Sequence, residues 1–463
     1  MPKVNPEIFR EYDVRGVVGR DLDAATVELL GRGYGTYLQE RGQGEVLVGR
    51  DNRLSSAEFR DALVRGLLST GCRVVDLGLV VTPIFYFARI HYGVDGGVMI
   101  TGSHNPADFN GFKLAHGFGT LYGEEIQRVR GIIEAGNFRQ GEGEVRTLDP
   151  VPEYRAELSR RITLGPRRLR VVVDAGNGTA GLFAPGVLEG WGCEVLPLYC
   201  ESDPHFPHHF PDPVQAANLA DLIQEVRRRG ADLGLSFDGD ADRIGVVDET
   251  GAVLWGDLLM ALYWREILPL HPGTTAIIEV KCSQALVEEV ERLGGKPLFY
   301  RTGHSLIKAK MRELGAVFTG EMSGHMFFAD EYFGYDDALY AAGRLLRILS
   351  HTDRSLSQLT ADIPRYPSTP EVRVPCPDAV KFRVVEAVRD SLRARYPVID
   401  IDGARVLFPA GWGLVRASNT QPVLVLRAEA KDQASLEAIK AELANELGVF
   451  PEVGKLDWSG NTD

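Results

Sequence analysis

The sequence predicts three related α/β domains with mixed sheets, followed by a smaller C-terminal α+β domain. The length of 463 residues is enough for three or four ordinary domains. A unit of strand, helix, glycine and second strand recurs at residues 46–78, 169–199 and 275–301. Strands that alternate with helices in this way are typical of α/β domains.

The first of these units shows the pattern most clearly. The apolar stretch VLVGRD predicts a strand, and Phe59, Leu63 and Leu67 lie four residues apart, as on one face of a helix. Ser55 and Glu58 fit a capping box at the start of that helix. The second unit (LRVVVDAG to GCEVLPLY) and the third (TAIIEV to GGKPLFYR) have the same order of features.

The pattern changes after PRYPSTPEVRVPCP, residues 364–377, whose five prolines suit neither a helix nor a central strand. Beyond it, GARVLFP, GWGLVR and PVLVLRAEA predict strands, and two amphipathic segments predict helices. A polar, glycine-rich stretch at 136–152 and the turn DETG at 248–251 mark two earlier boundaries. We therefore predict domains at residues 1–150, 151–250, 251–366 and 367–463.

Composition excludes several classes of protein. The net charge of −13 disfavours a broad nucleic-acid or acidic-membrane surface. The five cysteines form no CxxC pair, which argues against a disulfide framework or a zinc site. No secretory signal and no run of 18 apolar residues is visible. We expect a cytoplasmic protein that binds neither nucleic acid nor membrane.

The loop DGDADR, residues 238–243, carries the strongest chemical signal. Asp238, Asp240 and Asp242 alternate between two apolar strands, so an extended loop could aim three carboxylates at one point. Such carboxylates repel one another unless a cation neutralises them, and hard oxygen ligands suit Mg²⁺. A helix–loop–helix calcium site is rejected, because Arg243 stands where that loop needs glycine and the flanks predict strands.

Three further loops carry weaker signals, and a plain turn explains each one alone. GEMSGH offers Glu321 and Ser323 as partners for sugar hydroxyls. RASNTQP offers a set of donors that suits a phosphate group: Arg416, Ser418, Asn419 and Thr420. TGSHNP presents Ser103 directly after the apolar stretch GGVMI.

Two common catalytic motifs are absent from the sequence. The stretch around Ser103 is not the G-x-S-x-G elbow of acyl hydrolases, because Asn105 stands where glycine is needed. No G-x-x-x-x-G-K-[ST] phosphate loop occurs either, so the chain does not look like an ordinary nucleotide kinase.

Taken together and in this order, TGSHNP, DGDADR, GEMSGH and RASNTQP resemble the four signatures of the α-D-phosphohexomutase superfamily. The resemblance extends from FREYDVRGVVG to RASNTQPVLVLR and is greatest to the bacterial phosphomannomutase/phosphoglucomutase group. It implies three α/β domains and a smaller fourth domain around a central cleft. It also implies reversible phosphoryl transfer between O1 and O6 of mannose or glucose phosphates.

The resemblance implies a role for each motif. Ser103 would carry the phosphoryl group, and Ser103, Asp238, Asp240 and Asp242 would hold Mg²⁺. Glucose 1,6-bisphosphate or mannose 1,6-bisphosphate would be the intermediate and activator. The remaining positions carried over are Lys113 and His325 for proton transfer, Arg243 for screening the phosphoserine, and Tyr12, Arg15, Lys281, His304, Glu321, Ser323, Arg416, Ser418, Asn419 and Thr420 for substrate binding.

Several alternatives stay open at this point. The GEMSGH loop is similar in phosphoglucosamine mutase, so glucosamine phosphate is a competing substrate. A Mg²⁺-dependent sugar phosphatase and a non-catalytic sugar-phosphate-binding relative are alternatives of other classes. The expected partners are small hexose phosphates, and the chain is expected to be a monomer or a homodimer. Two positions depart from the usual motifs, Ala241 in DGDADR and Gln421 in RASNTQP, and neither removes a functional atom.

Overall fold

The computed structural model describes residues 4–419 and 421–459. Two compact units make up the chain, one of Met1–His271 with Gly303–Ala361 and the other of Pro272–Thr302 with Asp362–Asp463. The elements are given below in chain order. None of the described helices is both long enough and apolar enough to cross a bilayer.

The first sheet has seven strands. Its elements are β1 (Val14–Val17), α1 (Ala24–Gln39), β2 (Glu45–Arg50), α2 (Ser56–Leu68), β3 (Arg73–Leu79), α3 (Thr82–His91), β4 (Gly96–Ile100), β5 (Phe109–His116), β6 (Gly119–Thr120), α4 (Glu124–Ala135) and β7 (Val145–Thr147). The strand order is β1-β5-β4-β2-β3-β7, with β6 paired to β5. Strand β2 runs parallel to β3 and β4, whereas β5 is antiparallel to β4 and β1. The sheet is therefore mixed, and every residue of β4 is buried.

The capping box predicted for α2 does not form. Ser55 occupies the N-cap, but its φ of −76° and ψ of −16° are helical, and its side chain makes no cap hydrogen bond. Ser55 Oγ instead accepts a hydrogen bond of 2.8 Å from Asn110 Nδ2. A tertiary contact with β5 therefore replaces the local one.

The second sheet has five strands. Its elements are α5 (Val151–Arg161), β8 (Arg170–Asp174), α6 (Ala184–Gly190), β9 (Glu194–Leu198), α7 (Ala220–Arg229), β10 (Leu233–Phe237), β11 (Ile244–Asp248) and β12 (Val253–Leu254). The strand order is β12-β11-β10-β8-β9. Strands β9, β8 and β10 are parallel, and β11 is antiparallel to β10. The loop 238–243 is therefore the connection of a hairpin at the end of a fully buried strand.

The next part of the chain contributes to both units. Its elements are α8 (Gly256–Ile267), β13 (Thr275–Glu279), α9 (Gln284–Arg292), β14 (Lys296–Tyr300), α10 (His304–Leu314), β15 (Phe318–Gly320), β16 (Met326–Phe328), α11 (Ala338–Ser350) and α12 (Leu356–Thr360). Strands β13 and β14 pair in parallel, and β15 pairs with β16 antiparallel. The GEMSGH motif begins at Gly320, the last residue of β15, and its other five residues connect β15 to β16.

The C-terminal part is an antiparallel sheet with two helices. Its elements are β17 (Val372–Pro375), α13 (Lys381–Arg393), β18 (Val398–Ile399), β19 (Ala404–Phe408), β20 (Gly411–Ala417), β21 (Val423–Ala430) and α14 (Gln433–Leu447). The strand order is β17-β21-β20-β19-β18, and all pairs are antiparallel. Apolar residues of both helices pack with the sheet in one core. The predicted fold class, α/β with a C-terminal α+β part, is confirmed.

The domain boundaries predicted from the sequence remain predictions. The segment Pro272–Thr302, which holds β13, α9 and β14, forms one compact unit with the C-terminal part. Its Val280 packs in a small core with Trp412 and Leu414 of β20.

Candidate active site

Ser103 lies in the loop that follows β4, and it is almost completely buried. Its φ of +48° is in the left-handed region, which few residues other than glycine adopt. Ser103 Oγ donates a hydrogen bond of 2.7 Å to Asp238 Oδ2 and lies 3.0 Å from His104 Nδ1. The Ser103 hydroxyl, in a loop of the first sheet, is thereby held against the hairpin loop 238–243 of the second sheet.

The three aspartates of DGDADR meet at this point. One carboxylate oxygen of each of Asp238, Asp240 and Asp242 lies within 4.8 Å of the others, and all three residues are buried. Gly239 permits the approach of the two loops, because a β-carbon there would lie 2.5 Å from the Ser103 carbonyl oxygen. Ala241 has a φ of +58°, so this loop holds a non-glycine residue in a glycine-like conformation.

Lys113 on β5 supplies the opposing charge. Its Nζ donates to Asp240 Oδ2 at 2.8 Å and also to Asp242 Oδ2. Thr82, at the start of α3, donates to the same Asp240 oxygen at 2.6 Å. Burial alone would lower the pKa of Lys113, but Asp240 and Asp242 outweigh it and raise the pKa well above its usual value. Lys113 is therefore an ammonium group at neutral pH.

The cluster fits a divalent cation. Burial, followed by repulsion from Asp242 and Asp240, raises the pKa of Asp238 well above its usual value. Asp240 Oδ1 and Asp242 Oδ1 are buried and have no hydrogen-bond partner among the described residues. A cation that prefers hard oxygen ligands would neutralise these crowded carboxylates and coordinate their buried oxygens.

A second charged group surrounds His325, which is 3 % exposed. Arg243 Nε donates to His325 Nε2 at 3.0 Å, so Nε2 must accept and the ring proton lies on Nδ1. His325 Nδ1 lies 3.2 Å from Asp336 Oδ2 and 3.6 Å from Asp242 Oδ1. Asp336 also accepts from Lys308 Nζ at 2.8 Å.

Substrate binding was predicted for Tyr12, His304, Glu321 and Ser323, and the ring of His304 lies next to His325. The His304 ring stacks on His325 with centroids 5.4 Å apart, and the Tyr12 ring meets the edge of His304 at 6.0 Å. Glu321 Oε1 accepts the Gly303 amide at 2.8 Å, and Ser323 is half-buried in the same loop as Glu321.

Arg15 lies on β1 and forms an ion pair with Asp13. Arg15 Nε donates to Asp13 Oδ2 at 2.8 Å, so the ion pair and this hydrogen bond go to the same carboxylate.

Four other predicted residues that the structure describes belong to the compact unit of Pro272–Thr302 with Asp362–Asp463. Arg416 is the last residue but one of β20 and donates through Nε to Asp402 Oδ2 at 3.0 Å. Ser418 and Asn419 follow it, and Ser418 Oγ accepts the Gln421 amide at 3.2 Å. Lys281 pairs with Glu371 at 2.8 Å. Thr420 lies outside the described residues.

Several side chains at these sites were not found from the sequence. They are Asp51, Arg53, Thr82, Lys308, Asp336, Glu371 and Asp402. Their contacts join segments that are far apart in the chain, and no local spacing indicates them. The available signal is the run GRDNR, which begins in the last two residues of β2 and continues into the following loop.

Comparison with known proteins agrees with these features. The chain matches the phosphoglucomutase/phosphomannomutase α/β/α domain I at residues 6–140, domain II at 152–251, domain III at 255–366 and the C-terminal domain at 371–446. It is 46% identical over 447 residues to a Pseudomonas aeruginosa protein named phosphomannomutase/phosphoglucomutase, covering 96% of each chain.

Two further relatives extend the comparison. A Methanopyrus kandleri protein named probable phosphoglucosamine mutase is 37% identical and is covered over 97% of its length, with 94% of this chain. A crystal structure of a phosphoglucomutase/phosphomannomutase family protein from Burkholderia thailandensis superposes with a TM-score of 0.90 at 40% identity, covering 96% of this chain and 98% of that one. The resemblance inferred from the four motifs is confirmed, and the chain belongs to the phosphoglucomutase/phosphomannomutase family.

Proposed function

We propose that this enzyme transfers a phosphoryl group reversibly between O1 and O6 of hexose phosphates, with Ser103 as the carrier. Mannose and glucose phosphates are the proposed substrates. The observation that supports the proposal most directly is the 2.7 Å contact between Ser103 Oγ and the buried aspartate cluster. A phosphoryl group on that oxygen would face three carboxylates and needs positive charge beside it.

We propose Mg²⁺ as the ion of this cluster, held by Asp238, Asp240, Asp242 and an oxygen on phosphorylated Ser103. When bound, Mg²⁺ supplies charge that stabilises the phosphoryl oxygens during transfer. The chain's own contribution is geometric and electrostatic. The loops after β4 and β10 hold the serine oxygen in place, and the Lys113 ammonium group balances two carboxylates.

In the first half-reaction the Oγ–P bond of phosphoserine 103 breaks and a bond forms from phosphorus to the free sugar oxygen. The proton of that sugar hydroxyl passes to a group of the enzyme, and the Ser103 oxygen takes up a proton from the enzyme as the Oγ–P bond breaks, so that it leaves as a hydroxyl. The product is glucose 1,6-bisphosphate or mannose 1,6-bisphosphate. After this intermediate turns end for end, the same bonds form and break in reverse at the other phosphoryl group. Lys113 and His325 are the proposed groups for proton transfer, and Lys113, as an ammonium group, can give a proton to the leaving Ser103 oxygen but cannot accept one from the sugar. Arg243 is proposed to screen the phosphoserine.

Substrate recognition is proposed at two places. Arg416, Ser418, Asn419 and Thr420 would bind the phosphate that does not react, through charge-assisted hydrogen bonds. Glu321 and Ser323 would bind sugar hydroxyls. The other proposed substrate-binding residues are Tyr12, Arg15, Lys281 and His304.

Intact-protein mass spectrometry tests the carrier role. We expect incubation with glucose 1,6-bisphosphate to add one phosphoryl group to the wild type, mapped to Ser103, and none to Ser103→Ala. Ser69→Ala is the matched control, because the Ser69 hydroxyl donates to the Gly66 carbonyl in α2 at 2.8 Å and Ser69 is not one of the proposed site residues. Unmodified wild type, or modification at another residue, would refute the carrier role.

Substrate identity is tested by turnover. The mutase proposal requires interconversion of the 1- and 6-phosphates of mannose or glucose, dependent on Mg²⁺ and abolished by excess chelator. Faster turnover of glucosamine phosphate would favour the phosphoglucosamine mutase alternative, which the relation to the Methanopyrus kandleri protein keeps open. Net release of inorganic phosphate would instead indicate a sugar phosphatase.

The proposed setting is the cytoplasm, with small hexose phosphates as the partners and a monomer or homodimer as the working form. None of the five cysteines, all of which lie within the described residues, forms a disulfide, which suits a reducing compartment.

A further inference from the structure

The turn that follows β2 contains two buried charged residues with no role in the reaction described above. Asp51 and Arg53 are each 2 % exposed, and their side chains lie 3.3 Å apart between Asp51 Oδ2 and Arg53 Nε. A buried ion pair of this kind is weak evidence for stability alone, because desolvation offsets much of the attraction. What the pair contacts is therefore informative.

Arg53 binds the serine loop through its backbone. One terminal nitrogen donates to the carbonyl oxygens of Ser103 at 2.9 Å and Asn105 at 2.6 Å. The other donates to the carbonyl of Phe109 at 2.9 Å and to that of Pro106. One guanidinium group thus satisfies four carbonyls between Ser103 and Phe109, the first residue of β5, as its planar set of donors permits.

Asp51 fixes the residue before the serine. Its Oδ2 accepts the Gly102 amide at 3.0 Å, and its Oδ1 accepts Ser56 Oγ at 2.5 Å. A β-carbon on residue 102 would lie 2.3 Å from the Arg53 guanidinium carbon, so glycine leaves the space that Arg53 occupies in this arrangement. The glycine of TGSHNP is thereby explained by the arginine that packs on it.

The same turn also binds the second sheet's loops. Asn52 Nδ2 donates to Asn177 O at 2.9 Å and to Ser202 Oγ at 2.8 Å, and the Asn52 amide donates to Thr179 Oγ1 at 2.9 Å. The Arg53 guanidinium lies 5.3 Å from the centre of the Phe206 ring. The turn therefore connects the loop that carries Ser103 with loops of the sheet that carries Asp238.

We propose that Arg53 is a positioning residue for phosphoryl transfer, which sets the place of Ser103 Oγ relative to the aspartate cluster. This inference rests on the proposed function. Arg53 acts through the loop backbone, because its guanidinium group donates to four main-chain carbonyls. Its loss should therefore slow transfer and leave substrate binding intact.

Kinetics of Arg53→Lys test the inference, because lysine keeps the charge but cannot reach four carbonyls at once. We expect kcat and the rate of Ser103 phosphorylation by glucose 1,6-bisphosphate to fall about 100-fold, the effect of misplacing reacting groups by about 1 Å, with KM changed less than about threefold.

Arg89→Lys is the matched control. Arg89 lies on α3 and is 5 % exposed. It donates to the carbonyls of Asp95 at 2.5 Å, Gly119 at 3.3 Å and Gly117. It therefore has the same kind of role at a place outside the serine loop. We expect it to lower the thermal unfolding midpoint as Arg53→Lys does, with kcat near that of the wild type.

Equal kcat losses in the two variants, or a loss carried by KM, would overturn the inference. If Arg53→Lys does not fold, Asp51→Asn takes its place, with the same expected split between kcat and KM. If neither Arg53→Lys nor Asp51→Asn folds, the Asp51–Arg53 ion pair is needed for stability, and the inference is also overturned. A wild type that lacks mutase activity and phosphoserine would instead refute the proposed function, so the two failures are distinguishable.

Discussion

Replacing Lys113 by methionine tests whether its ammonium group is the charge that holds the aspartate loop in the absence of a metal ion. The side chains of Lys113, Asp240 and Asp242 are 6%, 0% and 1% exposed. Methionine keeps the length of the side chain and removes the charge. Breaking a buried ion pair in this way costs about 3–5 kcal/mol, because the partner charges stay buried without compensation.

A divalent cation should reverse much of this loss. An ion that binds only the folded state stabilises it by about 2.7 kcal/mol at a concentration of 100 times its Kd. The lysine ammonium repels such an ion, so we expect the variant to bind Mg²⁺ at least about tenfold more tightly than the wild type, or about 1.4 kcal/mol. The increment in stability on adding Mg²⁺ should be larger in the variant accordingly.

Urea denaturation with chelator and with Mg²⁺ measures both effects. Lys308→Met is the matched control, because Lys308 is 3 % exposed and pairs with Asp336 at 2.8 Å outside the three-aspartate cluster. It should lose stability in chelator as Lys113→Met does, without the larger response to Mg²⁺. Equal responses in the two variants, or an unchanged unfolding midpoint for Lys113→Met in chelator, would refute this account of the charge.

Two further predictions concern phosphate binding and pH. Arg416→Ala should weaken binding of glucose 1-phosphate about 10- to 100-fold by calorimetry, because a hydrogen bond to a charged group contributes about 1.5–3 kcal/mol; unchanged affinity would place the phosphate elsewhere. Burial alone would lower the pKa of His209, but its hydrogen bond to Asp174 raises it above the usual value. The pair should therefore stabilise the fold fully below about pH 6.5 and lose this contribution as pH rises through the raised pKa. His209→Gln should accordingly reduce the urea midpoint more at about pH 6 than at about pH 9, and an equal reduction at both would contradict the ion pair.

The parts of the fold that could be predicted are those with local signals. Apolar strands that end in polar loops were recognisable because short stretches of sequence are enough to indicate both burial and turns. The alternation of Asp238, Asp240 and Asp242 between two such strands predicted their convergence in the same way, and the structure brings their oxygens within 4.8 Å. Their role as metal ligands stays a prediction.

Contacts between distant segments could not be predicted. Arg53 binds the Ser103 loop across 50 residues of sequence, and Asp336 reaches His325 from a separate loop. The prediction of a capping box at Ser55 was wrong because Asn110, more than 50 residues away, donates its side-chain hydrogen bond to the Ser55 hydroxyl. The φ of +58° at Ala241 explains why glycine would suit that position, which the sequence alone left as an unexplained departure.

The contact between Gly239 and the Ser103 carbonyl has a consequence for engineering this enzyme. Two loops that supply different functional groups share one tight backbone crossing, where a β-carbon would come within 2.5 Å of the opposing oxygen. Neither loop can be transplanted or randomised by itself without keeping that crossing. Residues of the two loops away from this crossing can therefore be varied, whereas Gly239 and the Ser103 backbone have to be kept together.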